Sequence, residues 1–137
     1  MWWIYALLSA LFAALTAIFA KVGITNVNSD LATAIRTVII LLVAWGIVLA
    51  KGEAKGLPAL STHNLIFLVI SGIATGLSWI FYFKALQIGK VSQVAPVDKL
   101  SVALTIMLSV VFLGEALTWK TAIGAAFIII GTLVLIF

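Results

Sequence analysis

Cysteine is absent from the 137 residues, histidine occurs once, and acids number only four. Without cysteine there are neither disulfides nor thiolate metal sites. The single histidine, His63, falls in a loop between apolar stretches. No histidine–carboxylate cluster has metal-ligand spacing, and no serine has a candidate base nearby. These gaps argue against an enzyme, a metal centre or a cofactor. Charge of either sign is scarce. Charged residues make up 9% and hydrophobic ones 65%, against about 25% and roughly 45–50% in ordinary globular chains. A soluble protein of this length could not hide so much apolar surface. In lipid it need not be hidden.

The net charge is +4. The bases stand singly at the ends of apolar segments, which suits lipid headgroups. No basic run is interleaved with aromatics, so nucleic acid is not an expected partner. The first apolar stretch begins at Trp2 with no basic residues ahead of it and is long enough to span. It is therefore expected to stay in the mature protein.

A spanning helix needs about 20 apolar residues. Segments 3–20, 31–50, 65–86, 92–113 and 119–137 meet that size, with short polar breaks between them. Period-2 alternation is lacking, which favours helices over a barrel. The expected fold is an all-α integral membrane domain of five spans covering residues 1–137, with no repeat inside it. An odd number of spans puts the two ends of the segment on opposite faces. The loop bases Lys51, Lys55 and Lys120 lie on the N-terminal face, and Lys21 and Lys90 on the other. Counting Arg36, Lys84 and Lys99 near segment ends reverses the bias. The positive-inside rule therefore does not choose an orientation, and both ways up stay open.

Residues three and four apart share a helix face. Span four carries Asp98, Ser101, Thr105, Ser109 and Phe112 on one stripe. Span three carries Ser71, Thr75, Ser78 and Tyr82, with Trp79 flanking. Span one gives Trp2, Tyr5, Ser9, Phe12 and Thr16. Span two offers Thr33, Arg36 and Thr37. Span five has little beyond Thr121 and Thr132. Any one hydroxyl is most simply a helix–helix or own-backbone hydrogen bond, at about 0.6 kcal/mol. Aligned stripes on four helices, one holding an acid, favour a cavity lined by spans one to four with span five outside. Small residues read as packing surfaces: Gly72 and Gly76 on span three, Gly124 and Gly131 on span five, and a row of alanines including Ala17 and Ala20 on span one.

Ionisable residues inside a span are functional candidates by default. Arg36 lies about 8 Å into span two and Asp98 about 9 Å into span four by helical rise. Both enter from the same face and could pair. Lys84 and Lys99 lie near that face and can snorkel to headgroups. Pro96 is tolerated near a helix start, and an acid there suits the helix dipole. Asp98 is thus either a helix-start charge or the site of a coupling proton, ion or cationic group. Glu115 ends span four at the water boundary and reads as structural.

The stretch from Trp79 to Phe137 contains YFKAL, VAPVDKLS, FLGEALT and a final Gly-containing apolar helix, in that order. It resembles the EamA domain of the drug/metabolite transporter superfamily. It is similar in particular to the single-domain, five-helix bacterial and archaeal transporter family. The resemblance is specific over the last three spans and extends to the whole chain in helix count. Motif residues that carry over are Pro96, Asp98, Lys99, Gly114 and Glu115. The resemblance implies secondary transport of a small metabolite or drug-like solute in a cell membrane, inner or plasma. It also implies a central cavity lined by four helices, with the fifth peripheral. Small multidrug exporters, a neighbouring family, use a glutamate in their first helix. Span one here has no acid, which argues against proton-coupled export of lipophilic cations.

A homodimer is expected. Four striped helices are few to enclose a solute, and transporter sites often lie between two inverted repeats. With one odd-numbered repeat, inversion requires a second copy inserted upside down, hence an antiparallel dimer with dual topology. The rival readings are a non-transporting membrane scaffold and a flippase for lipid-linked substrates.

Overall fold

The computed structural model of the chain describes residues 1–137. It is built of helices, without strands: α1 (Trp2–Gly23), α2 (Ser29–Ala50), α3 (Thr62–Ile88), α4 (Val91–Asp98), α5 (Leu100–Leu113) and α6 (Trp119–Ile136), plus a short 3₁₀ helix at Glu53–Ala59. Five stretches are long and apolar enough to cross a bilayer, with α4 and α5 together forming the fourth. The five-span, all-helical expectation is met. The chain forms two compact units, one of Met1–Ile18 with Ile88–Phe137 and one of Phe19–Gln87.

Helix boundaries within Phe19–Gln87 follow local hydrogen-bond chemistry. The Asn28 side chain accepts from the N–H groups of Asp30 (2.9 Å) and Leu31 (3.1 Å), satisfying two free donors at the start of α2. Asp30 in that first turn suits the positive end of the helix dipole. Asn26 holds φ 61°, a left-handed conformation that asparagine tolerates better than most residues. Lys21 donates from its ammonium to the carbonyl of Leu86 at the end of α3. Gln87 Nε2 donates to the Val27 carbonyl at 2.7 Å. These two bonds tie the α1–α2 turn to the end of α3. Beside them Ile24, Ser29, Ala32, Thr33, Phe83 and Leu86 are buried.

The other unit contains a break that the sequence does not advertise. Span four, read as one helix over 92–113, is two. Pro96 has no N–H to donate and its ring crowds the preceding turn. Three residues later the helical run stops. Lys99 N–H is shared between the carbonyls of Ala95 (3.3 Å) and Pro96 (3.0 Å), and α5 restarts at Leu100. Pro96 is therefore the sixth residue of α4, not a first-turn proline, and Asp98 closes that helix. The Pro96 carbonyl takes a second donor, the Thr132 hydroxyl of α6, at 3.2 Å. Thr132 is only 4% exposed. Replacing Thr132 by valine keeps the shape and removes the donor. Unfolding followed by circular dichroism in mixed micelles is expected to show a loss of about 0.6–1.7 kcal/mol with helix content unchanged. An unchanged unfolding curve would deny this bond any share in holding α6 to the break.

The turn into α6 has its own logic. Gly114 takes φ +68°, which favours glycine, and Glu115 N–H returns to the Ser109 carbonyl at 3.3 Å. The Thr118 hydroxyl then accepts from Thr121 N–H at 3.2 Å and starts α6. No more than 11% of any span's apolar window is buried within the chain. Large side chains such as Leu41, Phe67, Val111 and Phe127 stand outward. That arrangement suits hydrocarbon, where helix–helix contact has no hydrophobic driving force.

Candidate functional site

Arg36 is the centre of the better-defined candidate site. Its guanidinium carbon sits 4.2 Å from the centroid of Phe83 and 5.9 Å from that of Trp79. Phe83 is 1% exposed and anchors the contact. It also meets Tyr82 edge-on, with centroids 5.7 Å apart and planes at 80°. Trp79 and Phe83 are four apart on α3, so one face of that helix presents both rings. A cation over an aromatic face gains about 0.5–2 kcal/mol. The rings offer no lone pair, whereas the guanidinium carries five N–H donors in one plane. Arg36 Nη1 is enclosed and has no hydrogen-bond acceptor in the chain. An enclosed donor left in that state costs about 1–3 kcal/mol.

Asp98 is engaged elsewhere. Its carboxylate pairs with the ammonium of Lys99 at 3.3 Å. Its side chain is 33% exposed and that of Lys99 58%. The acid stands between the negative end of α4 and the positive end of α5. Only the second helix favours its charge.

Several stripe hydroxyls turn to their own helices. Thr75 donates to the Ser71 carbonyl at 2.9 Å, Thr105 to that of Ser101 at 2.8 Å, and Ser109 to that of Ile106 at 3.0 Å. On α2, Thr33 and Thr37 do the same to Ser29 and Thr33, each at 2.8 Å. Such bonds satisfy the hydroxyl in an apolar setting, and they leave oxygen lone pairs for a further donor. Tyr5, Ser9, Ser71, Thr75, Ser78, Ser101 and Thr105 are all exposed, while Thr16, Trp79, Tyr82 and Ser109 are half-buried. Of the expected residues, the described contacts bring Arg36 to Trp79.

Phe83 was not among the residues expected from sequence. The polar-stripe search passed over it because it is apolar. The available signal was its spacing of four from Trp79 on a helix opposite a lone arginine. Lys21 and Gln87 fall outside the expected spans 3–20 and 65–86, yet both fasten backbone carbonyls. A Cβ built at Gly72, Gly76, Gly124 or Gly131 would meet nothing within 4 Å. Whatever close approach these glycines permit is therefore not made within their own units. An open groove lined by Leu60, His63, Asn64, Phe67 and Leu68 lies at the start of α3, and it includes none of the expected site residues.

Comparison with known proteins agrees with a membrane transporter. The chain matches the EamA-like transporter family over residues 1–137. It is 50% identical over 134 residues to an uncharacterized transporter from the cobO 3′ region of a Sinorhizobium species, covering 98% of this chain and 95% of that one. It is 37% identical over 71 residues to an uncharacterized protein of Methanocaldococcus jannaschii, covering 52% of each. No solved structure matches the chain. Five apolar spans and a family match over residues 1–137 agree: the chain belongs to the EamA-like transporter family.

Proposed function

We propose that the chain is a secondary transporter that moves a small solute across the cell membrane by alternating access, working as an antiparallel homodimer. The observation that carries this reading is the outward exposure of polar stripe residues on the spans, among them Tyr5, Ser71, Ser78 and Thr105. Facing hydrocarbon, such groups gain nothing. Facing a second copy across a solute path, they gain further hydrogen-bond partners and a task. The open space around Gly72 and Gly76 supports the same reading, because small residues at helix interfaces let backbones approach closely. The polar stripes of the first four spans supply the solute-facing residues, and Asp98 is the candidate for a coupling proton or ion.

The antiparallel arrangement follows from span number. Five spans reverse direction from one end to the other, so two copies can show inverted symmetry only if they insert opposite ways up. The weak bias of loop lysines permits both insertions. Because the sequence contains no cysteine, Phe137→Cys introduces a unique reporter. A membrane-impermeant maleimide applied to intact cells, and then to inside-out vesicles, is expected to label comparable fractions from each side. Labelling from one side alone would sink the dual-topology dimer. Solute flux in liposomes separates a transporter from a scaffold, since a scaffold would leave every solute outside.

A further inference from the structure

We infer that Arg36, backed by Phe83 and Trp79, is a recognition site for an oxyanion head group, carboxylate or phosphate, borne by a solute with an apolar or planar body. The word solute rests on the transporter reading above; the anion site itself does not.

The Arg36 guanidinium carbon lies over the Phe83 ring, 4.2 Å from its centroid, and 5.9 Å from that of Trp79. Aromatic rings hold the charge in place and orient it, but they offer no lone pair to the N–H groups in the plane. Nη1 is enclosed and unpartnered. An arginine placed merely to bridge two helices would be expected to have a carboxylate opposite it. The acids of its own unit are not so placed. Asp30 lies six residues earlier on α2, rotated by more than half a turn and about 9 Å away along the axis. Glu53 lies beyond the far end of that helix, in the 3₁₀ segment. Asp98 is paired with Lys99. The planar fork of N–H groups matches a carboxylate or a phosphate in two-point contact, and Trp79 beside it suits a flat apolar body. Arg36 is about 10 Å along α2 from Ser29, so the anion would bind inside the span. A lipid phosphate is the other possible source of the same chemistry.

A matched set of aryl probes tests this: benzoate, phenyl phosphate, benzyl alcohol and benzylamine, titrated calorimetrically into the full chain in maltoside micelles, which carry no phosphate. The two anions are expected to bind and the neutral and cationic members not. Arg36→Gln is expected to abolish the anion signal. In case that variant fails to fold, Arg36→Lys keeps the positive charge and loses the fork, and its affinity for benzoate should fall about tenfold. Equal binding of all four probes, binding by none, or unchanged benzoate affinity in Arg36→Lys overturns the proposal. The same titration in phosphatidylcholine nanodiscs separates the two sources. Retained binding supports a solute site, whereas binding confined to micelles assigns the pocket to lipid headgroups and overturns the solute claim. Flux assays keep the two readings apart. Arg36-dependent anion binding without flux of that anion would count against transport and leave the site standing. Flux of a cation unaffected by Arg36→Gln, with no Arg36-dependent anion binding in the titrations, would leave transport standing and remove the site.

Discussion

Replacing Asp98 by asparagine is expected to cut solute flux roughly 10- to 150-fold, the equivalent of one lost charged hydrogen bond of about 1.5–3 kcal/mol, while the protein stays folded in detergent. The side chains are nearly the same size, so packing is preserved. The ion pair with Lys99 at 3.3 Å joins adjacent residues whose side chains are 33% and 58% exposed. Such a pair closes almost no chain and contributes little to stability. Nor does the charge cap α4, where it stands at the unfavourable end. A charge with so little structural work to do, held at a break within a span, is a candidate for a mobile ion or proton. The measurement is initial flux in liposomes alongside size-exclusion behaviour of the purified protein. Wild-type flux from a stable Asp98→Asn protein would remove the acid from the mechanism. Loss of both fold and flux would reassign it to the junction between α4 and α5.

The spans were legible because burial in hydrocarbon writes itself into composition. Twenty apolar residues in a row have few other uses, and the polar breaks at 21–30 and 51–64 left little choice of boundary. The α5–α6 turn was legible too. Gly114, followed by Glu115 and then Thr118, contains both a residue suited to positive φ and a helix-start hydroxyl. The break at Lys99 was not legible. Proline two residues before an acid reads equally as the start of a helix or as a flaw within one. A contact at the break, the Thr132 hydroxyl on the Pro96 carbonyl, comes from 36 residues away in sequence, where no periodicity reaches. Arg36 stood out as a charge within a span, but its aromatic setting did not, for a physical reason. A search for partners of a cation looks for acids, and the structure answers with the faces of two aromatic rings. Aromatic residues crowd α3, where Trp79, Phe81, Tyr82 and Phe83 fall within five positions, so Phe83 carried no distinguishing mark until a guanidinium was placed over it.

Self-contained hydroxyls on the stripes bear on where a solute can pass. Thr105 and Thr75 each bond to the carbonyl one turn back, which keeps them compatible with lipid when nothing else is present. The same oxygen can still accept from a passing donor without first breaking that bond. A solute path lined in this way would be weakly polar and adaptable, with specificity concentrated at a few fixed groups such as Arg36 and Asp98. This division of labour matches the general pattern of small-molecule sites, where mostly apolar walls carry a small number of placed polar groups.

Filling that path should stop transport. Ser78→Trp on α3 and Thr105→Trp on α5 each place an indole where a small hydroxyl-bearing side chain now stands exposed. If these residues face a solute pathway, each substitution is expected to lower flux at least about tenfold, since even a displacement of about 1 Å in a working site can cost a hundredfold. Ile129 on α6 is the control. It is also exposed, at 39%, but its helix carries no polar stripe, and an indole there meets lipid. Flux in Ile129→Trp is therefore expected to stay near wild type, and all three proteins should elute as the wild type does from size exclusion. Each substitution adds an indole to an exposed position within a span. Equal tolerance at Ser78, Thr105 and Ile129 would mean that no solute pathway runs along the stripes. Equal loss at all three would place α6 on the pathway as well, and would show that the polar stripes do not mark its boundary.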